Sequence, residues 1–278
     1  GISTGLTQGF SIQLSQYYGA KDFENLRKSL AHSYRLTAFI AAGVLILSQS
    51  FASLVLTGLH TPSNIIGMSL LYLRIIFCGI PATAAYNMFA SALRAMGNSK
   101  TPLTAMVIAS VLNVSLDILF VAGFGWGVAG AAIATVIAQS FSAVYCFLIL
   151  RRIDIVHLTR ADFMPASGMN ARLMKLGIPV VFQNIIIGVG GLVVQYVING
   201  YGFLFVAGFT ATNKLYGLLE MAAISYGYAI VTYVGQNLGA GKIDRIRKGV
   251  RSSMLLSLLT SLIISAAMFL FCLLYTSP

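Results

Sequence analysis

Apolar residues along this 278-residue chain run in blocks too long for strands and too continuous for the half-buried helices of a soluble fold. Crossing a ~30 Å hydrocarbon layer takes about 20 helical residues. Stretches of that kind fall near 29–56, 64–90, 102–124, 128–150, 173–198, 205–234 and 252–275, with a partial one at 1–18. The segments between them, at 18–28, 57–66, 94–102, 123–127, 151–172, 199–203 and 239–251, are short and rich in Gly, Pro and charge. In lipid every backbone polar group must be satisfied internally, so this alternation predicts an all-α, polytopic membrane helical bundle.

Composition agrees with the pattern. Only 9% of residues are charged and 58% are hydrophobic, with a mean hydropathy of +0.85. Soluble domains carry about 25% charged residues, so a soluble globular protein is excluded. Lys and Arg number 18 against 7 Asp and Glu, a formal charge of +11 that suits nucleic acid or an anionic membrane face. Placement selects the second. The basic residues sit in every second polar segment: Lys21, Arg27, Lys28 and Arg35, then Arg94 and Lys100, then Arg151, Arg152, Arg160, Arg172 and Lys175, then Lys242, Arg245, Arg247, Lys248 and Arg251. Segments 57–66, 123–127 and 199–203 have none, so 16 of the 18 lie on one side, the cytoplasmic one by the positive-inside rule. These charges face lipid headgroups, and no nucleic-acid partner is expected.

The basic loop near residue 20 repeats near residue 240. At a constant offset of 220 and without a gap, residues 16–28 match 236–248 at Gln16/Gln236, Gly19/Gly239, Ala20/Ala240, Arg27/Arg247 and Lys28/Lys248. Duplicated halves are a common transporter plan. A 220-residue unit implies a protein of roughly 440 residues and twelve spans, with this chain lacking the first span and the last three. The expected organisation is two six-helix lobes related by the repeat and truncated at both ends: an N-terminal lobe over 1–150, a cytoplasmic basic amphipathic connector over 151–172 and a partial C-terminal lobe over 173–278.

Ionisable side chains at membrane depth are costly and mark function, and four qualify: Asp117, Glu220, Arg74 and Lys214. Asn113 lies one helical turn before Asp117 on the same face. A carboxylate beside a neutral oxygen ligand suits Na⁺ or a proton, whereas a helix-bracing hydrogen-bonded pair is the structural alternative. Glu220 is a second cation site, a counter-charge for a cationic substrate, or a structural carboxyl. Arg74 is expected to compensate a carboxylate on a neighbouring helix or to snorkel toward an interface. Gln8, Gln13 and Gln16 make the first segment too polar to face lipid all round; it should line a wet cavity or a helix interface. Asn87, Gln183 and Asn184 add polar groups at depth, and Pro81 and Pro179 give bending points. Cys78, Cys146 and Cys272 read as small core residues, and His32, His60 and His157 are too scattered for a metal site. No serine-hydrolase, zinc-protease or P-loop motif occurs, so neither an enzyme nor an ATP-driven motor is expected, and no cofactor.

Four pieces carry a resemblance to a known family: Leu93-Arg-Ala-Met-Gly-Asn-Ser-Lys-Thr-Pro102, the Asn113-x-x-x-Asp117 pair, Gly125-Trp-Gly-Val-Ala-Gly-Ala-Ala132 and Gly235-Gln-Asn-Leu-Gly-Ala-Gly-Lys242. Together they resemble the multidrug and toxic compound extrusion (MATE) transporters over what would be spans 2 to 9 of 12. The resemblance implies two lobes around a central cavity, alternating access, and export of cationic amphipathic small molecules in exchange for Na⁺ or H⁺. It also implies a first-lobe cation site at Tyr72, Asn113, Asp117 and Thr135, with Na⁺ at Asp117 and Asn113, completed by a first-span Asp outside this chain. Asn87 falls at a polar substrate contact of the family, and Gln183, Asn184 and Glu220 are cavity candidates, although some members carry their acid on the seventh span, where this chain has Gln183 and Asn184. The expected setting is the lipid bilayer of a cell membrane, a bacterial inner membrane, with no obligatory protein partner. A lipid-linked oligosaccharide flippase of the same superfamily is the alternative, and an intramembrane acid pair of Asp117 and Glu220 is a more distant one.

Overall fold

A computed structural model describes residues 2–58 and 63–276 of the chain. Among the described residues it forms α-helices and no strands: α1 (Ile2–Gly19), α2 (Phe23–Gly58), α3 (Ser63–Cys78), α4 (Ile80–Ala95), α5 (Lys100–Asp117), α6 (Gly127–Arg151), α7 (Met169–Asn199), α8 (Phe203–Gly239) and α9 (Ile243–Thr276). The predicted apolar stretches fall on α2, α3 with α4, α5, α6, α7, α8 and α9. Among the described residues six helical segments are long and apolar enough to cross a membrane. The chain is a multi-pass membrane protein. His60 lies outside the described residues.

The helices form two compact units, one of Gly1–Leu14 with Asp22–Val181 and one of Ser15–Lys21 with Phe182–Pro278. In the first unit α6 is the hub, with α3, α4 and α5 all packed on it. Its sequence explains why. Gly130, Ala134, Ala138, Ser142, Cys146 and Leu150 recur every fourth residue and are all buried. Hydrocarbon supplies no hydrophobic drive between helices, so small residues that let backbones approach are what holds such an interface. Large apolar side chains instead point outward on the lipid side, as Val144, Leu148, Val107 and Val111 do, each about half exposed or more.

The span predicted at 64–90 is broken at Gly79, where α3 ends and α4 begins. Pro81 consequently lies in the first turn of α4 and not within a continuous helix, a position where its missing N–H costs nothing. A Cβ on Gly79 would lie 2.9 Å from Val136 Cγ2, so the break nests against α6. Pro179 does lie inside α7.

The polar α1 is largely buried in protein. Thr7, Ser11, Gln13 and Ser15 are all buried; Thr7 Oγ1 donates to the Ser3 carbonyl and Gln13 Nε2 to Met169 Sδ. Of the two expectations for this segment, the helix interface is the one observed. Gly9 makes it possible, since a Cβ there would lie 2.4 Å from Gly177 Cα.

Segment 151–172 is more than a solvated strap. It forms two short 3₁₀ turns, Asp154–Val156 and Arg160–Phe163, which pack on α2. Thr159 and Asp162 cap the second turn reciprocally. Arg27 approaches the buried Asp162 at 3.7 Å, and Arg35 donates to the Phe163 carbonyl at 3.0 Å. Buried His32 reaches Asn170 Oδ1 at 2.7 Å through Nδ1 and the Met164 carbonyl at 3.1 Å through Nε2, where the nitrogen must donate.

In the second unit the sequence repeat becomes a structural one. Ala20 N donates to Gln16 O and Lys21 N to Tyr18 O; at the same offset of 220, Ala240 N donates to Gln236 O and Gly241 N to Leu238 O. Lys21 (φ 58°) and Gly241 (φ 67°) hold the same left-handed position. The two helix ends also touch: a Cβ on Gly19 would lie 1.9 Å from Gln236 O, and one on Gly239 would lie 1.9 Å from Gln16 O. Such contacts with backbone cannot be relieved by a rotamer change.

Two pairs of substitutions test these packing rules by thermal unfolding in detergent. Gly19→Ala should lower stability by about 1–3 kcal/mol through overpacking, while Gly43→Ala on α2, with open space around it, should be neutral or stabilising. Ala134→Leu on the buried stripe should cost a similar amount, about 1–3 kcal/mol, and Val144→Leu on the exposed face should cost little.

Candidate functional site

Asp117 is the last residue of α5, and the next six, Ile118–Gly123, wind as a π-helix. The wider coil is visible in the bond from Phe124 N to Leu119 O, five residues back, at 2.9 Å. Short π segments inside α-helices recur at functional sites because they turn side chains away from the regular helical surface. Phe120 of this turn stacks on Phe124 and Trp126, which lie tilted against each other, with centroids 5.1–6.0 Å apart.

Asn113 and Asp117 are half-buried, but their inner atoms are sealed. Asp117 Oδ1 and Asn113 Nδ2 are buried and meet no hydrogen-bond partner among the described residues. A buried, unpartnered polar atom costs about 1–3 kcal/mol, and native folds carry few. Buried hydroxyls without a partner among the described residues also recur one turn apart at Ser29, Ser33 and Thr37 of α2, but the Asn113–Asp117 pair includes a carboxylate, which makes it the candidate for a cation. The donor set fits a hard monovalent cation or a proton: a carboxylate oxygen, and an amide that presents its own oxygen when turned over. Bracing between helices requires a bond from this pair to a neighbour, and none is formed among the described residues.

The other expected cation ligands do not join the pair. Thr135 is on α6, which packs against α5, and its Oγ1 donates to the Ala131 carbonyl at 3.0 Å. Tyr72 is on α3, which packs on α6, and is 37% exposed with no hydrogen bond to Asn113, Asp117 or Thr135 among the described residues. Asn87 on α4 donates from Nδ2 to Thr4 Oγ1 at 3.4 Å, within the first unit. Gln183 is exposed and Asn184 half-buried near the start of the second unit, and Glu220 and Lys214 are exposed on α8 in that unit. Arg74 is exposed and meets no carboxylate among the described residues, so its expected carboxylate partner is not found there.

Two polar contacts were not marked by the sequence. Thr83 on α4 hydrogen-bonds to Gln139 on α6, and Gln49 on α2 donates to the Arg74 carbonyl at 2.9 Å. Neutral side chains scattered singly through apolar helices carry little signal, and only contact across helices reveals them. Among the described residues no group of His, Cys, Asp or Glu is arranged to hold a metal ion.

A helical membrane bundle with a duplicated turn and a carboxylate–amide pair carrying buried, unpartnered atoms narrows the class. The MatE family model matches residues 1–119 and 179–277, and the chain belongs to the MatE family. Among curated relatives, the probable multidrug resistance protein YpnP of Bacillus subtilis is 32% identical over 242 residues, which are 87% of this chain and 54% of the relative. The multidrug export protein MepA of Staphylococcus aureus (strain NCTC 8325) is 24% identical over 237 residues, 84% of this chain and 52% of the relative. The fold also matches a crystal structure of MATE in complex with MaL6 (TM-score 0.88, 20% identity, 98% of this chain and 61% of that one). A MOP superfamily transporter from Pyrococcus furiosus gives a TM-score of 0.85 at 20% identity, over 99% of this chain and 61% of that one. The chain thus spans about half the length of the curated relatives it matches.

If the unpartnered atoms are held for a ligand, removing one should stabilise the ligand-free protein. Asn113→Leu is expected to raise the unfolding temperature in a choline buffer at neutral pH, by the equivalent of about 1–3 kcal/mol. A fall of that size would instead mean that Asn113 braces neighbouring helices.

Proposed function

We propose that this chain is the larger part of a secondary active efflux transporter that exports cationic amphipathic compounds in exchange for Na⁺ or H⁺. The observation that carries the proposal is the sealed Asn113–Asp117 pair beside a π-helical turn, in a chain of the MatE family. The names of the relatives, multidrug resistance and multidrug export proteins, support the substrate class.

In the proposed cycle a cation entering from outside is held by Asp117 and the amide of Asn113, with Thr135 and Tyr72 as further oxygen ligands. Thr135 would exchange its bond to Ala131 for the ion, and Tyr72 would have to swing inward from its exposed position. Neutralising the Asp117 charge lowers the cost of keeping it away from water and favours one of two conformations. Substrate binding favours the other, and their mutual exclusion produces exchange. Asn87, Gln183, Asn184 and Glu220 are proposed as polar contacts for substrate, Glu220 supplying negative charge. Arg74 and Lys214, the two basic residues at membrane depth, are both exposed and do not build the cationic cavity a flippase needs.

The test is gradient-driven transport in proteoliposomes, with the chain joined to the flanking segments that its Bacillus relative carries. A fluorescent cationic dye should move under an imposed Na⁺ or H⁺ gradient, and Asp117→Asn should reduce that movement at least tenfold while leaving protein insertion unchanged. Equal transport by wild type and Asp117→Asn would remove Asp117 from the coupling.

A further inference from the structure

Within the first unit a cavity of about 360 Å³ lies between α2, α4 and α6, floored by Ala38, Ala41, Ala84 and Ala85 and walled by Tyr34 and Phe147. Tyr34 and Phe147 also wall a second pocket, of about 340 Å³, whose other side is the docked 151–163 segment with Arg151, Val156, His157 and Phe163. The two spaces therefore share a boundary and differ in chemistry. The first is almost wholly apolar, and the second is bordered by Arg151 and by the segment that the positive-inside rule assigns to the cytoplasm.

The charges around the second pocket can be placed one by one. Arg151 ends α6 with its side chain exposed, where a cation also complements the helix C-terminus. Arg35 of α2 holds the rim through the Phe163 carbonyl, and Arg152 and Arg160 lie on the same segment. Of the carboxylates, Asp162 is buried and engaged by Thr159 and Arg27. Asp154 projects into solvent, 3.8 Å from His157 Nε2. The excess is positive, and Arg151 is the guanidinium that lines the pocket. Tyr34, with an apolar ring and a polar tip, stands where the two environments meet, the usual place for such a side chain at a membrane interface.

We propose that this two-part cleft binds one anionic phospholipid of the cytoplasmic leaflet. Its phosphate sits at Arg151, with His157 beside it, and one acyl chain passes between Tyr34 and Phe147 into the alanine-floored cavity. The small side chains on α2 and α4 are what make room for the chain. Such a lipid would tie the 151–163 segment to α2 and α6, and its binding needs neither the cation pair nor substrate.

Native mass spectrometry of the purified, delipidated chain tests this, with phosphatidylglycerol and phosphatidylcholine of identical acyl chains added in equal amounts. The wild type should retain one phosphatidylglycerol at collision energies that strip phosphatidylcholine. Arg151→Gln should weaken that retention by about fivefold, the worth of one interfacial cation, while Ala42→Phe, which fills the groove from an exposed position lining it, should reduce retention of both lipids. Unchanged phosphatidylglycerol retention in Arg151→Gln, or in Ala42→Phe, overturns the proposal. So does displacement of the lipid by glycerol phosphate at equal concentration, which would make the pocket a free-anion site.

Discussion

The buried stripe on α6 is the contact on which the first unit depends. Small residues at every fourth position from Gly130 to Cys146 let α3, α4 and α5 all lean on one helix. In hydrocarbon this close approach is the main source of cohesion, because the lipid competes equally well for any large apolar side chain. The same stripe positions the candidate site. Asn113 and Asp117 on α5, Tyr72 on α3 and Thr135 on α6 itself are placed by helices that meet at this hub, and the nearby cleft for an acyl chain opens where α2 and α4 line its flank.

A second constraint is the cost of leaving polar groups dry. It is met at several positions where polar residues interrupt the apolar helices. The α1 hydroxyls bond within their helix, Thr83 and Gln139 pair across two helices, and His32 uses both ring nitrogens to hold the 164–170 backbone and Asn170. The hydroxyls of Ser29, Ser33 and Thr37 on α2 are left without a partner among the described residues, as are Asn113 Nδ2 and Asp117 Oδ1; what sets the last pair apart is the carboxylate, together with the π-helical turn that follows it.

Much of this was legible in the chain itself. The apolar blocks predicted the helices. The 220-residue offset picked out Gln16, Gly19, Gln236 and Gly239 as equivalent, and the structure shows why these types recur: each glycine lies against the other repeat's glutamine carbonyl. Their mutual contact could not be read from identity alone, since a repeat states equivalence and not adjacency. The break at Gly79 was hidden because Gly and Pro within an apolar run are compatible with a kink as well as a stop. Docking of the connector was hidden for another reason: Asp162 and Arg27 look like solvated charges until burial is known. At the site, the spacing of Asn113 and Asp117 revealed a shared face, whereas the π turn and the exposed position of Tyr72 depend on packing that no spacing encodes.

The central claim is that Asp117 is where the coupling cation binds. Unfolding midpoints measured in sodium and in choline at equal ionic strength, across pH 5 to 8, test it most directly, because a ligand that binds only the folded state stabilises it by mass action. The wild-type midpoint should depend on sodium or on pH, and that dependence should vanish in Asp117→Asn. The same dependence retained in Asp117→Asn would contradict the account and place the cation elsewhere.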